Sequence, residues 1–245
     1  MIEDSCSECL PNTRLALLKC ITTWATDPSD KRNVFWLHGL AGSGKSTISN
    51  TVANFFHGAG HLGAFMFFNP SRMGTCDPVT VIPTLAYQLG SFDQRIGNAI
   101  VEVIKSTPSI SQSPIHHQFL KLIVEPILSL PRLAADGPIV MVLDALDECG
   151  SAKTRRALML VMVEGSAKLP SFVRIFVTSR PEFDINTVFE SQQNILGQEL
   201  DVSSESNHHD ILSYLEHRMV TIREENKLLQ LAGDWPGADI IIALG

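Results

Sequence analysis

Val34-Phe35-Trp36-Leu37-His38-Gly39-Leu40-Ala41-Gly42-Ser43-Gly44-Lys45-Ser46-Thr47 is the stretch that decides the fold. Val34 to Leu37 is a short apolar strand, Gly39 to Gly44 is a glycine-rich loop, and Ser46 to Phe56 has a helical pattern. Gly39 to Ser46 matches G-x-x-x-x-G-K-[ST] in full, in the strand–loop–helix context that gives the pattern its meaning. Glycines let the backbone curl so that successive N–H groups converge on one centre, where a phosphate sits at the positive end of the helix dipole. Lys45 is placed to reach β- and γ-phosphates, the Ser46 hydroxyl to ligate Mg²⁺, and Thr47 to contact an α-phosphate. The candidate nucleotide contacts are therefore Gly39, Ala41, Gly42, Ser43, Gly44, Lys45, Ser46 and Thr47. A chance glycine-rich turn is the bland alternative, and the correct flanking elements disfavour it.

A second signal lies downstream. Ile139-Val-Met-Val-Leu143 is a continuous apolar run, as expected of a strand buried on both faces, and it ends in Asp144-Ala-Leu-Asp147-Glu148. A carboxylate at the tip of such a strand, beside a phosphate loop, can hold Mg²⁺, and Asp144 is the candidate. Asp147 and Glu148 follow one short turn later, where a carboxylate can orient or deprotonate an attacking water. The sequence does not separate the two, although Glu148 is weighted slightly higher as the base. Phe172 to Val177 is another buried strand, and it runs into Thr178-Ser179-Arg180-Pro181-Glu182. In a phosphate-loop sheet this strand commonly lies between the acidic strand and the loop strand. Arg180 then either senses a γ-phosphate through charge-assisted bonds or caps the strand end by pairing with a nearby acid.

Strands separated by helices predict a parallel sheet with helices on both faces, an α/β fold of three layers. Helices are expected over Thr13–Ala25, Val79–Leu89 with Gly90 as a stop, Asp93–Lys105, Pro114–Leu128 with Ser113 as cap, and Ala152–Glu164. Leu62–Phe68 and, more weakly, Ile195–Leu200 complete the strands. Ser106–Ser113 reads as a surface loop, and Asn207 with Asp210 as a capping box opening a helix to Arg218.

The 245 residues carry a net charge of −7, which argues against a dedicated nucleic-acid binder. The longest apolar run, Ala157–Val163, is far short of the roughly 18 residues a membrane span needs. The N-terminus lacks the charged and apolar regions of a secretory signal, and five cysteines do not read as a disulfide framework. The expectation is an intracellular, cytoplasmic globular protein. Cys6-x-x-Cys9 lacks a second pair at zinc spacing, and the paired histidines at 116–117 and 208–209 read as solvated.

Taken in order, the three signals resemble the NACHT family of STAND-type signalling NTPases, in its nephrocystin-like N-terminal form, found in multidomain proteins of filamentous fungi. Supporting segments are Asn12-Thr13-Arg14 with Trp24, Ile82 to Leu89, Asn207 to Ile211 with Tyr214-Leu215, and Trp235-Pro236. The resemblance covers about residues 11 to 241. It implies phosphate contacts on Lys45, Mg²⁺ on Ser46 and Asp144, a γ-phosphate sensor in Arg180, hydrolytic roles for Asp147 and Glu148, and a small residue at Ala145. It also implies a flexible N-terminus over 1–12, an NTPase core over 13–203, and the start of a helical extension over 204–245. In such proteins a winged-helix region follows this extension, and the resemblance leads to the expectation that it is missing here.

The expected function is an ATP-binding, ATP-hydrolysing switch module of a larger protein, with slow turnover. Self-association and other signalling domains are the partner expectations. Adenine is favoured over guanine because Asn226-Lys227 is followed by Leu228-Leu229 rather than completing N-K-x-D. The alternatives are an interaction platform that binds nucleotide without hydrolysis and a small-molecule kinase with a second pocket. A transporter-type ATPase would need an L-S-G-G-Q-like signature, and the sequence has none.

Overall fold

The computed structural model describes residues 8–69, 77–203, 205–226, 232, 235–237 and 239–241. Most of the N-terminal stretch expected to be flexible lies outside them. Two compact units divide the chain: Met1–Glu8 with Leu18–Leu200, and Cys9–Leu17 with Asp201–Gly245.

The larger unit is built on a five-stranded parallel sheet: β1 (Val34–His38), β2 (Leu62–Phe67), β3 (Ile139–Asp144), β4 (Val173–Ser179) and β5 (Ile195–Glu199), in the order β2-β3-β4-β1-β5. Every residue of β3 and β4 is buried, which is why Ile139–Leu143 reads as an unbroken apolar run and why β4 is apolar apart from Arg174 and its polar end at Thr178 and Ser179. β4 lies between the acidic strand and the loop strand, as expected, with Leu143 beside Val177 and Leu37 beside Thr178. That register brings the C-terminal ends of β1, β3 and β4 to one edge of the sheet.

Helices pack on the sheet, whose strands present apolar side chains on both faces, and on one another. They are α1 (Leu15–Thr26), α2 (Lys45–Gly58), α3 (Pro78–Phe92), α4 (Gln94–Ser106), α5 (Ile115–Phe119), α6 (Glu125–Leu128), α7 (Ala152–Ser166) and α8 (Phe183–Phe189). Trp36, Phe56, Phe119 and Phe189 are among the fully buried side chains of the core. At the opposite end of the sheet from the phosphate loop, Arg174 of β4 is wholly buried and donates to the carbonyls of Asp27, Asp30 and Arg32, under the face of Trp24.

Four local expectations are corrected. Gly90 does not stop α3. The helix continues to Phe92, and Asp93 ends it by capping α4, its carboxylate accepting the N–H groups of Arg95 and Ile96. Gly90 instead serves a close crossing: a Cβ on Gly97 of α4 would lie 2.7 Å from the Gly90 carbonyl oxygen. Pro114, not Ser113, occupies the cap of α5, and no side chain bonds there. The single helix expected to Leu128 is broken by a π-turn over Leu120–Val124. Pro126, lacking an N–H, removes the donor that Leu122's carbonyl would meet in a regular helix. Ser106–Ser113 is not simply a surface loop, since Ile110 is buried in a 3-10 turn and Gln118 donates to the carbonyls of Ser111 and Ser113. The short α8 was not anticipated at all.

In the smaller unit, α9 (Glu205–Glu225) is longer than expected at both ends. Asn207 therefore lies inside the helix, donating to the Val202 carbonyl. Asp210 makes no capping box either; it accepts the backbone N–H of Arg14 at 3.0 Å and faces that residue's guanidinium.

Candidate nucleotide-binding site

The loop after β1 is anchored by the Gly39 N–H donating to Ser179 at the end of β4, and it turns through Gly42 and Gly44, whose φ angles are 75° and 91°. An L side chain is disfavoured at those angles, so glycine there is a conformational requirement. Gly44 also forms the left-handed cap of α2 with no side-chain partner, which leaves the first N–H groups of that helix open towards the loop's centre.

Lys45 folds back across this loop. Its ammonium donates to the carbonyls of Gly39 and Leu40, each at 2.7 Å, and lies 3.4 Å from the Ser43 hydroxyl. Partial burial pulls Lys45 below the ordinary lysine range, against the opposing charge of Asp147. The ammonium thus holds the loop closed upon itself and sits where a phosphate would compete for it.

Beneath the loop, Asp144 is almost fully buried. The Thr178 hydroxyl donates to its carboxylate, the Ser46 hydroxyl bonds to it, and the N–H of Ala145 donates to Thr178 Oγ1 at 3.0 Å. Burial pushes the Asp144 carboxyl above the usual range, and these bonds oppose the shift. Ala145 takes a left-handed conformation at φ 61°, turning the chain out of β3 so that Asp147 and Glu148 come back over the sheet edge. Asp147 is nearly covered, whereas Glu148 is 30% exposed. Burial, then the neighbouring Asp147 charge, holds the Glu148 carboxyl above its ordinary range; Arg180 counteracts both.

Arg180 Nε lies 3.2 Å from Asp147, and its Nη2 lies 3.5 Å from Glu148. It therefore pairs with both acids while about half its side chain stays exposed. Ala41, Gly42, Gly44, Lys45, Ser46, Thr47, Ala145, Asp147, Glu148, Thr178 and Arg180 line one cavity of about 350 Å³. Of the residues expected from sequence, Gly39, Ser43 and Asp144 stand behind that lining rather than in it. Thr178 was not among the expected site residues, although a polar residue at the end of a buried strand is a readable signal. Arg155, which donates to the Asp147 carbonyl from α7, left no trace in the sequence pattern.

The family model described as nephrocystin 3, N-terminal, matches residues 13–180, from before β1 to Arg180 itself. The chain belongs to that family. Among solved structures, this nephrocystin-like domain is similar to a Walker-type ATPase of Pyrococcus abyssi, with TM-score 0.57, 10% identity, and coverage of 91% of this chain and 63% of the other. It is also similar to Cdc6p of Pyrobaculum aerophilum, with TM-score 0.51, 12% identity, and coverage of 89% and 52%. The chain thus spans about half to two-thirds of the length of these structures, and what it shares with them is the P-loop NTPase fold. No curated protein matches the chain.

The residues present fit Mg²⁺. Ser46 and Asp144 put two hard oxygen donors together beneath the loop, the donor chemistry this ion prefers. Among the described residues no three His, Cys, Asp or Glu side chains converge into a cage. Mg²⁺ does not require one, because it keeps waters and takes oxygens from the phosphates it accompanies. Among the described residues no helix is long and apolar enough to cross a membrane.

Proposed function

We propose that this domain is a NACHT-type module that binds ATP with Mg²⁺, hydrolyses it slowly, and acts as a nucleotide-dependent switch within a larger multidomain protein. The observation that carries the reading is the single cavity into which the phosphate loop, Lys45, Ser46, the Asp147–Glu148 turn and Arg180 all open. That combination supports hydrolysis over simple nucleotide storage, because a binding platform has no need of two acids and a cation beside the loop.

In this reading the N–H groups of Gly42, Gly44, Lys45 and Ser46 cradle the phosphates, and Lys45 exchanges its loop carbonyls for phosphate oxygens. Thr47 contacts the α-phosphate. When bound, Mg²⁺ would supply positive charge against the charge that develops on the phosphates. Asp144 and Ser46 hold it there, with Thr178 fixing the orientation of the Asp144 carboxylate. Glu148, or Asp147 beside it, orients the attacking water and accepts its proton. Arg180 leaves its acid partners to meet the γ-phosphate, which is how the site distinguishes the two nucleotide states. The switch core spans residues 13–203, and the segment from 204 opens the helical extension.

Single-turnover hydrolysis with and without candidate acceptors tests the proposal. Slow, acceptor-independent release of phosphate from ATP is the expected result. Turnover that appears only with a phosphoryl acceptor would make the domain a kinase, and tight binding with no turnover would make it an interaction platform.

A further inference from the structure

Behind the cavity lies a second arginine that the hydrolytic reading does not use. Arg155 sits in the first turn of α7, with a side chain only 7% exposed. Its Nε and Nη2 donate to the two carboxylate oxygens of Asp184, each at 3.0 Å, and its Nη1 donates to the backbone carbonyl of Asp147. Asp184 belongs to the first turn of α8, four residues after Arg180. One planar fork therefore reaches from α7 to the loop after β3 and to the helix that follows the loop after β4.

The atom it holds in the first of these loops matters. The Asp147 carbonyl belongs to the peptide that joins Asp147 to Glu148, so fixing it fixes the rotation of the backbone plane between the two acids. The turn has other restraints, since the Glu148 N–H donates to the Ala145 carbonyl at 2.8 Å and the Cys149 N–H to Leu146 at 3.0 Å. Neither of those bonds reaches the Arg180 loop. Arg180 itself meets the turn through the Asp147 and Glu148 carboxylates, and Arg155, through Asp184, adds a tie to the backbone between the two acids. A bidentate guanidinium with a third donor left over is the side chain that can bind a carboxylate and a carbonyl at once. A lysine can serve one of these acceptors well but has no fork for both.

We propose that Arg155 is a positioning residue for hydrolysis: it sets the orientation of Asp147 and Glu148 relative to Arg180 without itself touching the nucleotide. This rests on the hydrolytic reading of the site. Arg155 opens onto neither the loop nor the cavity, so its loss acts on the geometry of the water-activating group and leaves phosphate binding alone. Misplacing a reacting group by a fraction of an ångström to an ångström suffices to cost about 10- to 100-fold in rate.

The test uses the full chain carrying R155K and, separately, D184N, both chosen because they keep the volume of the buried side chain. Thermal unfolding establishes that each folds. Expected are a fall in kcat of about 10- to 100-fold with KM for Mg–ATP within about twofold of wild type. In an E148Q background, R155K should produce little further loss, because the group it positions is already gone. A merely structural arginine would lower turnover in proportion to stability and would act additively with E148Q. Wild-type kcat in R155K and D184N, or full additivity with E148Q, overturns the inference while leaving the hydrolytic reading intact. If instead E148Q and D147N both turn over like wild type, the hydrolytic assignment fails and this inference falls with it.

Discussion

Arg180 Nε lies 3.2 Å from the Asp147 carboxylate, whose other oxygen accepts the Arg180 backbone N–H at 3.0 Å, so the end of β4 is tied to the acid turn after β3 through both main chain and side chain. The guanidinium also reaches Glu148 at 3.5 Å. Of the two alternatives raised by the sequence, the acid pairing is the one seen, and it is made at the rim of the phosphate cavity. Its charge stabilises the ionised form of the acid assigned as base.

Arg180→Ala has two expected consequences. Affinity for a non-hydrolysable ATP analogue should fall more than affinity for ADP, measured by calorimetry, since only the triphosphate offers the guanidinium a γ-oxygen. The second concerns pH. Glu148 acts as a base only when ionised, and burial and Asp147 hold its carboxyl above the ordinary range while Arg180 pulls it down. Turnover should therefore decline as pH falls through a value above that of a free glutamate. Removing Arg180 lifts this value further, and the acid limb moves to higher pH. An unmoved limb would mean that Glu148 does not govern it.

Lys45→Ala should weaken Mg–ATP binding by about 1.5–3 kcal/mol, the scale of a hydrogen bond to a charged group. The loss is expected to remain net of a compensation, because the Gly39 and Leu40 carbonyls that Lys45 occupies are released to water. Equal affinities in a titration of wild type and variant would remove the phosphate-loop reading.

Glu148→Gln or Asp147→Asn should lower turnover by about 10²- to 10⁴-fold while ATP still binds. Asp144→Asn should behave differently. The amide cannot match the carboxylate as an oxygen ligand, so the concentration of Mg²⁺ needed for half-maximal nucleotide binding should rise. Comparable Mg²⁺ dependence in all three variants would contradict the division of roles between strand end and turn.

Away from the site, Gly97→Ala should destabilise the domain by about 1–3 kcal/mol, because the new methyl meets the Gly90 backbone and forces α3 and α4 apart. Asp93→Ala should cost about 0.5–2 kcal/mol by removing the cap of α4. The Asp93 carboxyl is held below its ordinary range, chiefly by its bond to Arg95. Its contribution is present above the unfolded aspartate value near about 3.9 and is lost as pH falls through the lower folded one. Denaturant unfolding at neutral pH and at about pH 3 should show the gap between wild type and Asp93→Ala narrowing in acid.

The sequence by itself determined the sheet, the phosphate loop and the acid turn. Each is specified locally: the loop by where glycine permits a positive φ at 42 and 44, β3 by an apolar run that two-sided burial explains, β4 by a mostly apolar stretch broken by Arg174, and the acids by their place at a strand tip. The tertiary structure decided what local pattern cannot encode. Whether Gly90 stops a helix or admits a neighbouring one depended on Gly97 crossing it. Whether Asp210 caps its own helix depended on Arg14, almost two hundred positions away. Thr178 became Asp144's partner because β4 lies beside β3, and Arg155 became the support of the Asp147–Glu148 peptide because α7 and α8 converge behind the turn. These partners are far apart in the chain and are chosen by the free energy of burying them together, which no window of neighbouring residues contains.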